Sequence, residues 1–203
     1  PARPAAGPPP PPPLPDWARR PAPPAANAPL PLSPSDLGGA KVLAAEAGHD
    51  SAGAQARGTD LHRLLQHLAG RDPAEWAALA AAILPDSAAR ALRLAEVSRV
   101  LADPALAHLF GPGSLAEVEI TADLDGQPML GAIDRLVVAP DRILAVDYKS
   151  NALVPDHPGQ VPEGILRQMR AYVRGLRQIF PGRRVEGAIL WTGPVRLMPL
   201  PDL

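Results

Sequence analysis

Residues 129–138 read Met-Leu-Gly-Ala-Ile-Asp-Arg-Leu-Val-Val, and residues 142–150 read Arg-Ile-Leu-Ala-Val-Asp-Tyr-Lys-Ser. Both runs are short, rich in aliphatic and β-branched residues, and bounded by turn formers: Asp125-Gly126 before the first, Pro140-Asp141 between the two. Both therefore read as strands. Three charged side chains, Asp134, Asp147 and Lys149, fall inside them. Strand side chains alternate faces, so Asp147 and Lys149 share one. An ionised carboxylate withdrawn from water is costly unless a counter-charge stands beside it. One lysine offsets part of that cost, and a divalent cation would offset more. Two aspartates and a lysine suit metal-assisted hydrolysis. The competing reading is a structural ion pair in a sheet. If the two carboxylates mainly repel each other, removing one should raise stability in the absence of metal.

The pattern around these strands sets the fold class. Upstream, leucines at 61, 64, 65 and 68 have helical spacing, which predicts a helix over about 54–69. Asp72-Pro73 opens a second helix to about Leu84. A third runs to about Ala102, and Asp103-Pro104 opens a further short turn. Ser35 or Asp36 is placed to cap a short helix at the domain entry. From Glu117 the period changes to two, with Val118, Ile120, Ala122 and Leu124 alternating with Glu117, Glu119, Thr121 and Asp123. Asp125-Gly126 is a hairpin signal. Three consecutive strands thus form a meander. A helix from about Glu163 to Ile179 follows, then a strand pair over 187–191 and 195–199. Helices, three strands, helix and strand pair make an α/β domain.

Five short elements, in this order, resemble the RecB-type nuclease domain of the PD-(D/E)xK nucleases. They are Gly58 with His62 on a helix, Glu117 on a strand, Gly131-Ala132-Ile133-Asp134-Arg135, Asp147-Tyr148-Lys149-Ser150, and Gln168 with Tyr172. The resemblance covers about residues 35–200 and is nearest to the C-terminal nuclease domain of the AddA helicase-nuclease subunit. It implies a restriction-endonuclease-like mixed sheet flanked by helices, with an N-terminal helical part. It implies Mg²⁺ or Mn²⁺ held by His62, Asp134, Asp147 and the Tyr148 carbonyl. Asp134, Asp147, Lys149 and Glu117 are then catalytic, and Gln168 and Tyr172 meet DNA; Gln66, one turn after His62 on the same helix face, is placed to hydrogen-bond the site or its DNA. Expected partners are DNA, mainly single-stranded, a helicase part N-terminal to this chain and an AddB-like subunit, in cytoplasmic double-strand-break repair by recombination.

Several of these residues read differently without the resemblance. A lone histidine on a leucine-rich helix is more often partly exposed filler. Glu117 and Glu119 share a strand face by simple alternation, and either could be solvated surface. Arg167, Arg170, Arg174 and Arg177 recur at helical spacing, usually the mark of a solvated face. Two other functions remain open: a catalytically silent DNA- or partner-binding module, and a stand-alone phage-type exonuclease of the same superfamily.

Composition sets outer bounds. Fifteen of the 28 prolines among 203 residues fall in residues 1–34, including the run Pro8 to Pro13. That stretch is expected to be a disordered, polyproline-rich linker, leaving 35–203 as the nuclease domain. The chain begins at Pro1 without methionine, as a piece of a longer protein would. A net charge of -1 gives no bulk basic field, and a local groove suffices for DNA. Absence of cysteine excludes disulfides, thiolate zinc sites and the cysteine-ligated cluster of AddB-type nuclease domains. No run approaches the length of a membrane-spanning helix. No Gly-x-x-x-x-Gly-Lys-Ser/Thr loop and no Gly-x-Ser-x-Gly elbow is present.

Overall fold

The computed structural model describes residues 15–21, 30–41, 51–85, 88–151, 153–201 and 203. Five strands form one mixed sheet in chain order: β1 (Ser114–Leu124), β2 (Gln127–Val138), β3 (Arg142–Lys149), β4 (Arg184–Trp191) and β5 (Arg196–Leu200). β1, β2 and β3 are an antiparallel meander. β4 lies parallel to β3, and β5 returns antiparallel. A parallel neighbour requires a crossover, here α5 (Glu163–Ile179). At the first hairpin, Asp125 and Gly126 both have positive φ, 59° and 84°. This is the tight turn whose twist matches the flanking strands.

The remaining helices, α1 (Ser51–Leu68), α2 (Trp76–Ile83), α3 (Arg90–Ala102) and α4 (Ala107–Phe110), pack on the other face of the sheet. Leu61, Leu64, Leu65 and Leu68 of α1 are fully buried there, each stabilising by about 1.5–3 kcal/mol. Both Asp-Pro pairs start turns as read: Asp72 accepts from the Ala74 amide and Asp103 from the Ala105 amide. Each first forms one 3₁₀ turn, which leads into α2 and α4 respectively.

β3 divides the core. Ile143 and Ala145 lie in the layer under α5, Leu144, Val146 and Tyr148 in the layer under α1 to α4. The alternation carries Asp147 and Lys149 to the α5 side. α5 buries Ile165, Met169, Tyr172, Val173 and Leu176 against the sheet.

Residues 30–41 form a strap beside β2. The Leu32 amide donates to Pro128 O (2.7 Å), and Leu32 O accepts from the Leu130 amide (3.0 Å). The domain entry is a single 3₁₀ turn, Pro34–Asp36, with Ser33 at the capping position in place of Ser35 or Asp36. The Gly164 amide donates to Ala40 O at 2.8 Å, tying the strap to α5. Leu32 and Pro34, at the end of the proline-rich stretch, are thus laid against the sheet; most of residues 1–29 lies outside the described residues. No described helix is long and apolar enough to cross a membrane.

Candidate active site

The site forms where β2 and β3 part. Their pairing runs only from Arg135 to Val138 against Ile143 to Val146. Past that point the β2-facing amide and carbonyl of Tyr148 need other partners. Asp134 Oδ2 accepts from the Tyr148 amide at 2.6 Å. Tyr148 O lies 3.2 Å from His62 Nε2, and His62 Nδ1 lies 3.2 Å from Asp134 Oδ1. Three elements, α1, β2 and β3, are thus joined in one ring of contacts. Both imidazole nitrogens face acceptors, which favours the imidazolium. Burial pushes the His62 pKa down, but the hydrogen bond and charge of Asp134 outweigh it, and the net shift is upward.

Glu117 on β1 joins this ring. Its φ is 49°, a left-handed conformation in mid-strand. For a residue with a side chain this costs roughly 1–2 kcal/mol, and such strain concentrates at functional sites. It also separates the two glutamates: Glu117 is half-buried beside His62 and Asp134, while Glu119 is exposed. Ligand-capable atoms of His62, Glu117 and Asp134 all lie within 4.8 Å of one another. Burial, and then the Asp134 charge, raise the Glu117 pKa.

Asp147 sits on the α5 side of the fork. Its Oδ2 is 2.5 Å from Lys149 Nζ, and its Oδ1 accepts from Gln168 Nε2 at 2.8 Å. Burial is the largest influence on Asp147 and raises its pKa; Lys149 opposes this and Asp134 adds to it. Burial alone would lower the Lys149 pKa, but Asp147 reverses the shift, so the ammonium stays protonated. Tyr172 donates to Ala132 O at 2.6 Å and lies 3.3 Å from Gln168 Nε2. Gln168 and Tyr172 are 7% and 3% exposed. They hold Asp147 and β2 in place, and little of either side chain reaches the surface. The four arginines of α5 lie on a different face. Arg167 and Arg170 pair with Glu163, and Arg174 with Asp125.

The accessible surface at the fork is a depression of about 320 Å³ lined by Gly58, Thr59, His62, Arg63, Gln66 and Glu117. Gln66, one turn after His62, is in its wall. Two larger hollows, about 390 and 550 Å³, lie at the Trp76–Phe110 end of the helical layer and near Arg142 and Arg184. Neither contains a residue of the His62–Glu117–Asp134 cluster.

Sequence reasoning passed over four residues that support this site. Arg135 is buried, donates to the Tyr148 hydroxyl (3.0 Å) and Leu65 O (3.3 Å), and stacks over Phe110 at 5.1 Å. Burial pushes the Tyr148 hydroxyl up to about 12, so it stays a neutral partner. The others are Arg57, Glu96 and Thr192. Their only local signal is an acid, Glu96, on the same helix face as Val100.

The donor set is one imidazole, three carboxylates nearby and a backbone carbonyl. It contains no thiolate, and it suits a hard divalent cation. Comparisons with known proteins agree with this chemistry. Residues 39–194 match the family described as the PD-(D/E)XK nuclease superfamily. No curated protein matches the chain. The crystal structure of a "Putative exonuclease" from Eubacterium rectale aligns with a TM-score of 0.51 at 15% identity, over 78% of this chain and 62% of that one. This chain thus spans less than two thirds of that protein, and the likeness is one of fold. A second structure, SSO0001, aligns at a TM-score of 0.35 with 16% identity over 70% of this chain and 64% of its own, and carries no argument. With the motif residues gathered at one fork of a mixed sheet and the family matched across most of its length, the chain belongs to the PD-(D/E)XK nuclease superfamily.

Proposed function

We propose that this chain is a Mg²⁺- or Mn²⁺-dependent deoxyribonuclease domain that hydrolyses phosphodiester bonds of single-stranded DNA. The observation that carries the reading is the convergence of His62, Glu117 and Asp134 within 4.8 Å, with the Asp147–Lys149 pair beside them. His62, Asp134, Asp147 and the Tyr148 carbonyl are the residues that would hold the ion, with Glu117 directly or through water. When bound, the ion supplies Lewis acidity towards a phosphate oxygen and lowers the pKa of water. Lys149 orients the attacking water or balances charge developing on the phosphate. Water oxygen bonds to phosphorus and gives up a proton to solvent, the ester P–O bond breaks, and the leaving oxygen takes a proton from solvent. Gln168, braced by Tyr172, aims Asp147. Thr59, Arg63 and Gln66 line the depression where the strand's phosphates pass, and such contacts position a strand without reading its sequence.

The resemblance to the AddA nuclease domain supports a wider setting. In it an N-terminal helicase part feeds single strands to this domain, an AddB-like subunit completes the machine, and the product is a cytoplasmic exonuclease of recombinational repair. Incubation of end-labelled single strands and duplexes with Mn²⁺ tests the activity. Metal-dependent shortening of the single strand, lost in Asp134→Ala, is expected. Binding without cleavage by the parent protein would leave a silent DNA-binding module instead.

A further inference from the structure

Glu96 is buried on α3, far from the fork in sequence, with both oxygens engaged. Oε2 pairs with Arg57 NH2 at 2.6 Å, and Oε1 accepts from the Thr192 hydroxyl at 2.6 Å. Its two partners converge on the end of β3. Arg57 NH1 donates to Ser150 O. The Thr192 amide donates to Lys149 O at 2.9 Å, and its hydroxyl lies 3.4 Å from the same carbonyl. Thr192 is 1% exposed and Glu96 8%.

This arrangement has a mechanical consequence. Lys149 is the last residue of β3, so nothing after it in the strand fixes its backbone. Two consecutive carbonyls, those of Lys149 and Ser150, are instead gripped from α1 and from the residue following β4. Glu96 holds the two grips together. Arg57 also lies one residue before Gly58 and little more than one turn before His62. The Arg57 arm of the clamp, which Thr192 does not touch, is the one that ties α1 to β3 beside the His62–Tyr148 contact. A mobile surface ion pair would do none of this. Here the acid is buried, bridges three elements, and leaves neither oxygen free for a cation.

We propose that Glu96, through Arg57 and Thr192, is a positioning residue that places Lys149 for the hydrolytic step. The inference rests on the nuclease reading above and assigns Glu96 no contact with substrate or metal.

Thr192→Val is the sharpest test, because it removes only the hydroxyl at constant shape, and Thr192→Ser restores it. On a labelled single strand with Mn²⁺, Thr192→Val is expected to lose about tenfold to a hundredfold in kcat. That is the scale of a small misplacement of a catalytic group. KM and Mn²⁺ affinity should stay within about twofold, and Thr192→Ser should recover most of the loss. A structural role alone would lower Tm and the folded fraction but not the kcat of folded enzyme. A second arm places Thr192→Val on Lys149→Ala, where it should cost less than threefold, because the lysine it positions is gone. A parent-like kcat in Thr192→Val, or an undiminished loss on the Lys149→Ala background, would overturn the proposal. No cleavage by the parent protein would instead overturn the nuclease reading itself.

Discussion

The backbone amide of Tyr148 donates to Asp134 Oδ2 at 2.6 Å, across the point where their strands separate. A carboxylate proposed as a metal ligand therefore also completes the backbone hydrogen bonding of β3. These two duties separate by substitution. Asp134→Asn keeps an acceptor for the amide and should stay within about 1 kcal/mol of the parent in stability. Asp134→Ala leaves a sheltered amide unsatisfied and should lose about 1–3 kcal/mol. Both should lose cleavage. Urea denaturation of the two variants checks the first part, and equal stability would show that the amide finds another partner.

The raised pKa of His62 gives a pH dependence of defined sign. A base whose pKa is higher in the folded state than its ordinary 6.5 stabilises fully below that value. The contribution is lost as pH rises through the folded-state pKa. Without metal, Tm should therefore fall from about pH 6.5 upward, and His62→Gln should flatten that limb. Mn²⁺ affinity should strengthen over the same interval, because the imidazole must release its proton to coordinate. Melting curves in chelator across this range decide it; a slope unchanged in His62→Gln would remove His62 as its source.

Asp147→Ala weighs the repulsion expected from the sequence against a pairing that the structure adds. Two aspartates on adjacent strands suggest that removing one relieves repulsion. Asp147 is instead paired with Lys149 at 2.5 Å and bonded by Gln168. Its removal strands the ammonium. Breaking a buried pair costs roughly 3–5 kcal/mol, and the Lys149 side chain is 20% exposed, which points to the lower end. Asp147→Ala should thus melt lower than the parent without metal, and cleavage should disappear. Asp147→Ala/Lys149→Ala should regain part of the stability. A single variant that melts higher would restore the repulsion argument.

Gly131 tests the strap. A Cβ there would lie 2.8 Å from both Cγ and Cδ of Pro34, and 3.0 Å from Tyr172 Cε1. The proline ring cannot rotate away, so Gly131→Ala should destabilise by about 1–3 kcal/mol, the usual cost of overpacking. Pro34→Ala in the same chain should return much of it. Matching melting temperatures for Gly131→Ala and the parent would show that the strap does not press on β2.

What was legible in the sequence follows from the range of the interactions. The meander, the Asp125-Gly126 turn and α5 are set by period and local turn chemistry, so they could be read directly. Glu117 could not be told from Glu119, because alternation assumes regular backbone and Glu117 has a φ of 49°. Gln168 and Tyr172 share a face by their four-residue spacing, and the resemblance turns that face towards DNA; spacing alone does not show that they brace Asp147 and the Ala132 carbonyl. Glu96, Arg57 and Thr192 were invisible. Their contacts join residues 39 and 96 positions apart, and no local pattern encodes a three-element clamp.

Lys149→Ala should lose turnover far more than metal binding. The aspartates are the proposed oxygen donors, whereas a protonated ammonium has no lone pair to offer a cation. Asp147 holds Lys149 in that protonated state. Removing one electrostatic group of this kind commonly costs about 10²–10³ in rate. Metal affinity should hold or tighten slightly, because a positive charge 2.5 Å from Asp147 Oδ2 is gone and that oxygen is freed. The variant leaves the Asp147 carboxyl buried without the partner that favours its charged form, so it should be less stable in chelator and regain stability with Mn²⁺ more steeply than the parent. Calorimetric Mn²⁺ titration and single-turnover cleavage on one preparation separate the two effects. If affinity collapses in step with the rate, Lys149 organises the carboxylates, and the catalytic role assigned to it here is wrong.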